Sequence, residues 1–159
     1  MSEVGVIIGS ISDSVIMDHC TDTLTKHNID YDMIVASAHR DPDKVRDWVK
    51  GASDRGNKII IAGAGMSAAL PGVVAAYTDL PVIGVPMRSE LNGLDSLLSI
   101  SQMPRGVPVA CMSIGKHGAV NAALFAIRIL NSARPVTLKN AGGTLILGED
   151  DEPDIWRDD

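Results

Sequence analysis

Lys58-Ile59-Ile60-Ile61-Ala62, running into Gly63-Ala64-Gly65-Met66-Ser67, is the stretch that decides the fold class. Three successive isoleucines with no polar alternation describe a strand buried on both faces, which belongs to a parallel sheet covered by helices on each side. The small, glycine-rich run after it predicts a loop. Ala68 to about Tyr77 then reads as a helix, with Pro71 tolerated in its first turn. The same strand-loop-helix rhythm extends in both directions. Upstream, Val4–Ile8 predicts a strand, Asp13 to about His27 a helix striped by Ile16, Cys20 and Leu24, Tyr31–Ala36 a strand, and Pro42 to about Ala52 a helix. Downstream, Pro81–Val85 and Val107–Met112 predict strands, and Leu94–Ser101 and Gly118 to about Asn131 predict helices. The expected architecture is α/β: a single-domain three-layer αβα sandwich around a central parallel sheet, Rossmann-like or flavodoxin-like, with right-handed crossovers.

The rhythm stops near residue 132. Residues 1–132 are expected to form the α/β domain and residues 133–159 an atypical C-terminal extension, in which Gly142–Gly148 offers one extra strand before an acidic tail. Seven acids and one base lie between Glu149 and Asp159, a net −6 equal to that of the whole chain, so the first 148 residues are neutral. The acidity therefore says little about a binding site. It disfavours nucleic acid, as does an aromatic content of 3%, too low for base-stacking platforms. No apolar run approaches the ~20 residues that span a bilayer, so no membrane role is expected. Cys20 and Cys111 form neither a CxxC nor a metal-ligand spacing. With no signal-peptide pattern after Met1, they are expected to be reduced, core-packed thiols of a cytoplasmic protein.

Chemistry-bearing residues collect where strands give way to helices, the edge at which parallel sheets bind ligands. Ser37-Ala38-His39-Arg40 crowds a hydroxyl, an imidazole and a guanidinium into one turn. Serine and arginine suit a phosphate, and histidine moves protons near neutral pH. Gly9-Ser10-Ile11-Ser12-Asp13 makes an anion-binding turn or, alternatively, a helix cap through Ser12 or Asp13. It lacks the P-loop and dinucleotide spacings, so ATP and NAD are not indicated. Gly63-Ala64-Gly65 and the residues through Ala69 leave room for a flat ring beside the backbone. Pro86–Glu90, Arg105 and Lys116 add charge at the same edge. His19, His27 and His117 lie on helices without such neighbours, and no histidine-carboxylate cluster supports a metal. A small enzyme acting on a phosphorylated metabolite is the expectation.

Gly9-Ser10-x-Ser12-Asp13, Ser37-Ala38-His39-Arg40, Gly63-Ala64-Gly65, Leu70-Pro71-Gly72, Pro81-Val82-x-Gly84-Val85-Pro86, Asp95–Ile100 and Gln102–Gly106 occur together in order and spacing. In this the chain resembles the PurE family, from about Val4 to Leu130. The resemblance implies production of 4-carboxy-5-aminoimidazole ribonucleotide (CAIR) in purine synthesis, without cofactor or metal. Class I members move a carboxylate from N5 of N5-carboxyaminoimidazole ribonucleotide to C4; class II members carboxylate aminoimidazole ribonucleotide (AIR) with CO2. It implies His39 as the catalytic proton carrier, phosphate contacts at Ser10, Ser37 and Arg40, a ribose contact at Asp13, and a base and CO2 site at Gly63–Gly65. Gly9, Ser12, Ala38, Ser67, Ala69 and Leu70 complete the expected substrate-binding set. It further implies a homo-octamer and, for a mutase, an ATP-dependent synthetase as functional partner.

Arg40 and the Asp95–Gly106 block resemble the mutases, whereas class II members usually carry lysine at the first position. Against this, Ala69 stands where mutases carry a second histidine, a feature shared with class II. Direct carboxylation of AIR therefore stays open beside the mutase. A nickel-pincer-type nucleotide carboxylase, opposed by the Gln102–Gly106 block, and a non-catalytic ribonucleotide-binding module are remoter alternatives.

Overall fold

A computed structural model describes residues 1–132. The expected connector, extra strand and acidic tail lie outside the described residues. Five strands, β1 (Val4–Ile8), β2 (Tyr31–Val35), β3 (Ile59–Ala64), β4 (Val82–Pro86) and β5 (Ala110–Cys111), form one parallel sheet in the order β2-β1-β3-β4-β5. This is the flavodoxin-like order, whose direction of progression reverses between β1 and β3. The helices are α1 (Ser14–Lys26), α2 (Pro42–Lys50), α3 (Ala52–Arg55), α4 (Leu70–Ala75), α5 (Leu94–Ser101) and α6 (Lys116–Ser132).

The uninterrupted apolar strands divide their side chains between two cores. Val4, Val6 and Ile8 of β1, with Ile59 and Ile61 of β3, pack with Met17, Cys20 and Leu24 of α1 and the alanine face of α6. Ile7, Ile60 and Ala62 point the other way, into a core with Val45 and Val49 of α2, Val74 of α4 and Ile100 of α5. Each fully buried isoleucine, leucine or valine contributes roughly 1.5–3 kcal/mol. Ala119, Ala122, Ala123 and Ala126 are wholly buried, and their small side chains let α6 lie close against α1. Both cysteines are free. Cys20 is fully buried, its thiol pushed up to about 12 by that burial, and Cys111 is half-buried beside the second core.

The edges depart from expectation. β2 is not buried on both faces: Tyr31, Met33 and Val35 are exposed, while Ile34 alone of its apolar residues packs inward. An edge strand has a neighbour on one side only, and here one face lacks a covering helix. At the other edge β5 shrinks to two residues, pairing only with Ile83 and Gly84, because Pro108 has no N–H to give a ladder. β3 runs two residues further than expected and takes Gly63 and Ala64 out of the loop. The second helix breaks at Gly51, and α3 ends on Gly56 at φ +95°, a left-handed conformation suited to glycine. A single 3-10 turn, Ile11–Asp13, precedes α1.

Candidate active site

Because all five strands run the same way, their carboxyl ends open on one edge. The loops after β1, β2, β3 and β4 enclose a cavity of about 830 Å³ there, within the size range of small-molecule sites. The first loop turns sharply at Ser10, whose extended backbone (φ −149°) hands the chain to the 3-10 turn. Ser10 Oγ accepts from the Ser12 backbone N–H (3.4 Å) and from Ser12 Oγ (3.0 Å). The helix-cap role expected of Ser12 or Asp13 is not formed; Ser10 does the capping, and Asp13, at the head of α1, makes no side-chain cap bond. Burial raises the Asp13 carboxyl above its usual range, offset in part by the Ser10 backbone N–H.

The second loop is closed by its own backbone. Asp41 N–H donates to Ser37 C=O (2.8 Å), and Ser37 Oγ accepts from Arg40 N–H (3.3 Å). Pro42 then opens α2, its missing N–H harmless in the first turn. Arg40 Nη2 donates to Gly9 C=O (3.2 Å), which fastens this turn to the first loop. His39 lies exposed on the cavity wall between Ala38 and Arg40.

In the third loop Met66 adopts φ +58°, unusual for a side chain with a Cβ, and tight bonds run from Ala68 N–H to Met66 C=O and from Ala69 N–H to Ser67 C=O. Gly65, Met66, Ser67, Ala68, Ala69 and Leu70 all face the cavity.

The structure thus brings Gly9, Ser10, Ser12, Asp13, Ser37, Ala38, His39, Arg40, Ala64, Gly65, Ser67, Ala69 and Leu70 to one wall. Gly63 is the exception. It lies within β3, its carbonyl accepting from Gly9 N–H (3.3 Å), and a Cβ there would meet Met87 Cε at 2.6 Å and Met17 at 3.0 Å. Glycine at 63 thus leaves room for Met17 and Met87 beneath the site. Arg88, Ser89 and Glu90 also line the cavity yet were absent from the expected set. Isolated charges in the fourth loop carry no spacing signature. Among the described residues no three potential metal ligands cluster.

The arrangement suits an elongated anionic substrate: hydroxyls and a guanidinium at one end, an imidazole beside them, and a second guanidinium across the cavity. The AIR carboxylase family model matches residues 3–141. An N5-carboxyaminoimidazole ribonucleotide mutase of Bacillus subtilis is 58% identical over 130 residues, spanning 81% of this chain and 80% of that protein. One from Pyrococcus abyssi is 52% identical over 136 residues, 85% of this chain and 77% of the other. A crystal structure of Treponema denticola PurE superposes with a TM-score of 0.73 at 30% identity, covering 82% of this chain and 80% of that one.

Proposed function

The chain belongs to the AIR carboxylase family, called PurE among its solved relatives, and on that premise we propose how its sheet-edge cavity works. It is an enzyme of purine biosynthesis of the N5-carboxyaminoimidazole ribonucleotide mutase kind. The observation that carries the mechanistic reading is the meeting of Ser10, Asp13, Ser37, His39 and Arg40 in one cavity. Ser10, Ser37 and Arg40 hold the phosphate, Asp13 holds the ribose, and the β3 loop receives the imidazole ring.

The reaction is an isomerisation, and its protons must balance. The N5–carboxylate bond breaks, releasing CO2, and the exocyclic nitrogen gains a proton. C4 of the resulting AIR then attacks the CO2, and the proton on C4 must leave to restore the aromatic ring. One imidazole, His39, gives the first proton and takes the second, acting in turn as general acid and general base. The cavity holds CO2 beside C4 between the two steps, so the second is effectively intramolecular.

Ala69 favours a second reading, direct carboxylation of AIR, because the wall lacks the second imidazole of the mutases. The two are separated by following CAIR formation from N5-carboxyaminoimidazole ribonucleotide alone and from AIR with bicarbonate near physiological concentration. Faster conversion of the first is expected. Conversion of only the second would make this a direct carboxylase, and activity with neither would return attention to a binding module. As a mutase it depends on an ATP-consuming synthetase to supply the substrate. We propose the homo-octamer expected of the family as its assembly state.

A further inference from the structure

We propose that Arg88 is a specificity residue that reads the substrate's carboxylate, at the end of the cavity opposite the phosphate. The proposal rests on the functional reading above and adds to it the group that distinguishes the carboxylated nucleotide from AIR. Strand order supplies the geometry. Arg40 follows β2 and Arg88 follows β4, three strand spacings apart across β2-β1-β3-β4, or about 14 Å at the sheet edge. The charged and titratable side chains on the cavity wall are Asp13, His39, Arg40, Arg88 and Glu90. His39 and Arg40 share the β2 loop, and Arg40 is already bound to Gly9. Among the described residues that line this cavity, Arg88 is therefore the one cation outside the phosphate corner. The neighbouring segment Ala68-Ala69-Leu70 offers no charge of its own.

Arg88 is also free to act. Among the described residues its guanidinium makes no hydrogen bond and no ion pair, Glu90 included, although both line the cavity. It stands where the main cavity meets a second of about 460 Å³ shared with Ser12, Asp13, Lys116 and His117, which leaves its long side chain room to swing inward. Its backbone, by contrast, is fixed on both sides. Met87 N–H donates to Ala64 C=O (2.9 Å), and Pro86 C=O accepts from Gly115 N–H (2.8 Å). Beyond it, Ser89 Oγ donates to Asp95 Oδ2 (2.6 Å), and Ser89 C=O accepts from Asn92 N–H (3.0 Å) as Asn92 and Gly93 turn the chain back at positive φ. An anchored backbone carrying an unpaired planar fork is well suited to carboxylate, which arginine grips with two parallel N–H···O bonds.

The test is calorimetric binding of CAIR and of AIR to the full-length wild type and to Arg88→Gln and Arg88→Lys. Arg88 is exposed and its side chain makes no hydrogen bond or ion pair among the described residues, so its replacement is expected to leave their fold intact. Arg88→Gln is expected to weaken CAIR by about 10- to 100-fold, the range for a charge-assisted hydrogen bond, while AIR stays within about twofold. Arg88→Lys should recover part of the preference. Equal weakening of both nucleotides, or no change in either, overturns the proposal while leaving the functional reading standing. A wild type that binds neither nucleotide overturns the functional reading and this proposal with it.

Discussion

His39 and Arg40 are neighbours in sequence with separate duties. Arg40 is tied to Gly9 and locks the second loop onto the first, whereas His39 is left exposed to the cavity. In the proposed reading Arg40 also holds the phosphate, and His39 carries the proton. His39→Asn, which keeps a polar side chain of similar size, is expected to lower kcat by about 10²- to 10⁴-fold and to change the Kd for CAIR by less than about threefold. Stopped-assay kinetics beside a binding isotherm would check both; wild-type turnover in the variant would remove His39 as proton carrier. Residues at this scale were legible in sequence when several functional groups shared one turn, as in Ser37–Arg40. Arg88 and Glu90 were not, since a lone charge in a loop reads as ordinary surface until the sheet order shows which wall it occupies. Gly63 lies within β3, where a Cβ would crowd Met17 and Met87, a packing relation that a glycine in sequence does not reveal.

At the scale of elements, the start of β2 is held by charge as much as by packing. Asp32 accepts from Ser2 Oγ (2.6 Å), Asn57 Nδ2 (2.7 Å) and Arg55 Nε (3.1 Å), joining the chain start, β2 and the end of α3. Arg55 also stacks on Trp48, 4.5 Å from the ring centre. Burial alone would raise the Asp32 carboxyl, but the bonds from Ser2 and Asn57 and the Arg55 charge outweigh it and hold the carboxyl below its usual range. A carboxylate depressed in the folded chain stabilises fully above its unfolded pKa of ~4. That stability is lost as pH falls through the folded value. Asp32→Asn should therefore cost about 1 kcal/mol at pH 7, a figure kept small because the group is partly exposed and screened. The gap to wild type should narrow at pH 3. Urea unfolding at both pH values measures it, and an unchanged gap at pH 3 would show that the charge contributes nothing.

Sequence patterning served the interior elements well: Val4–Ile8 and Ile59–Ile61 are apolar without interruption and lie in the middle of the sheet. It served the edges poorly. Tyr31–Val35 is as apolar as an inner strand apart from Asp32, and only the strand order reveals that one face has no cover. Val107–Cys111 has strand-like composition, but Pro108 and a single neighbour reduce it to two paired residues.

Over the whole molecule, function follows from strand direction and order. Parallel strands place four loops on one edge, and the order β2-β1-β3-β4 sets their sequence along the cavity; in the proposed reading they serve phosphate, ribose, ring and carboxylate in turn. The repeated strand-loop-helix pattern makes this placement legible in the sequence. The width of the cavity was not legible, since it depends on how the loops after β1, β2, β3 and β4 and Leu70 of α4 settle against one another. We propose that residues 1–132 form the catalytic domain. The central claim is that CO2 released from N5 is held and returned to C4 inside this cavity. Its most direct test supplies N5-carboxyaminoimidazole ribonucleotide carrying ¹³C in the carboxylate to the enzyme in unlabelled bicarbonate, with the CAIR formed read by mass spectrometry. Confinement requires the label to be retained in the product. CAIR formed with unlabelled carboxylate would mean that CO2 escapes and is recaptured from solution, and the mutase account would be wrong.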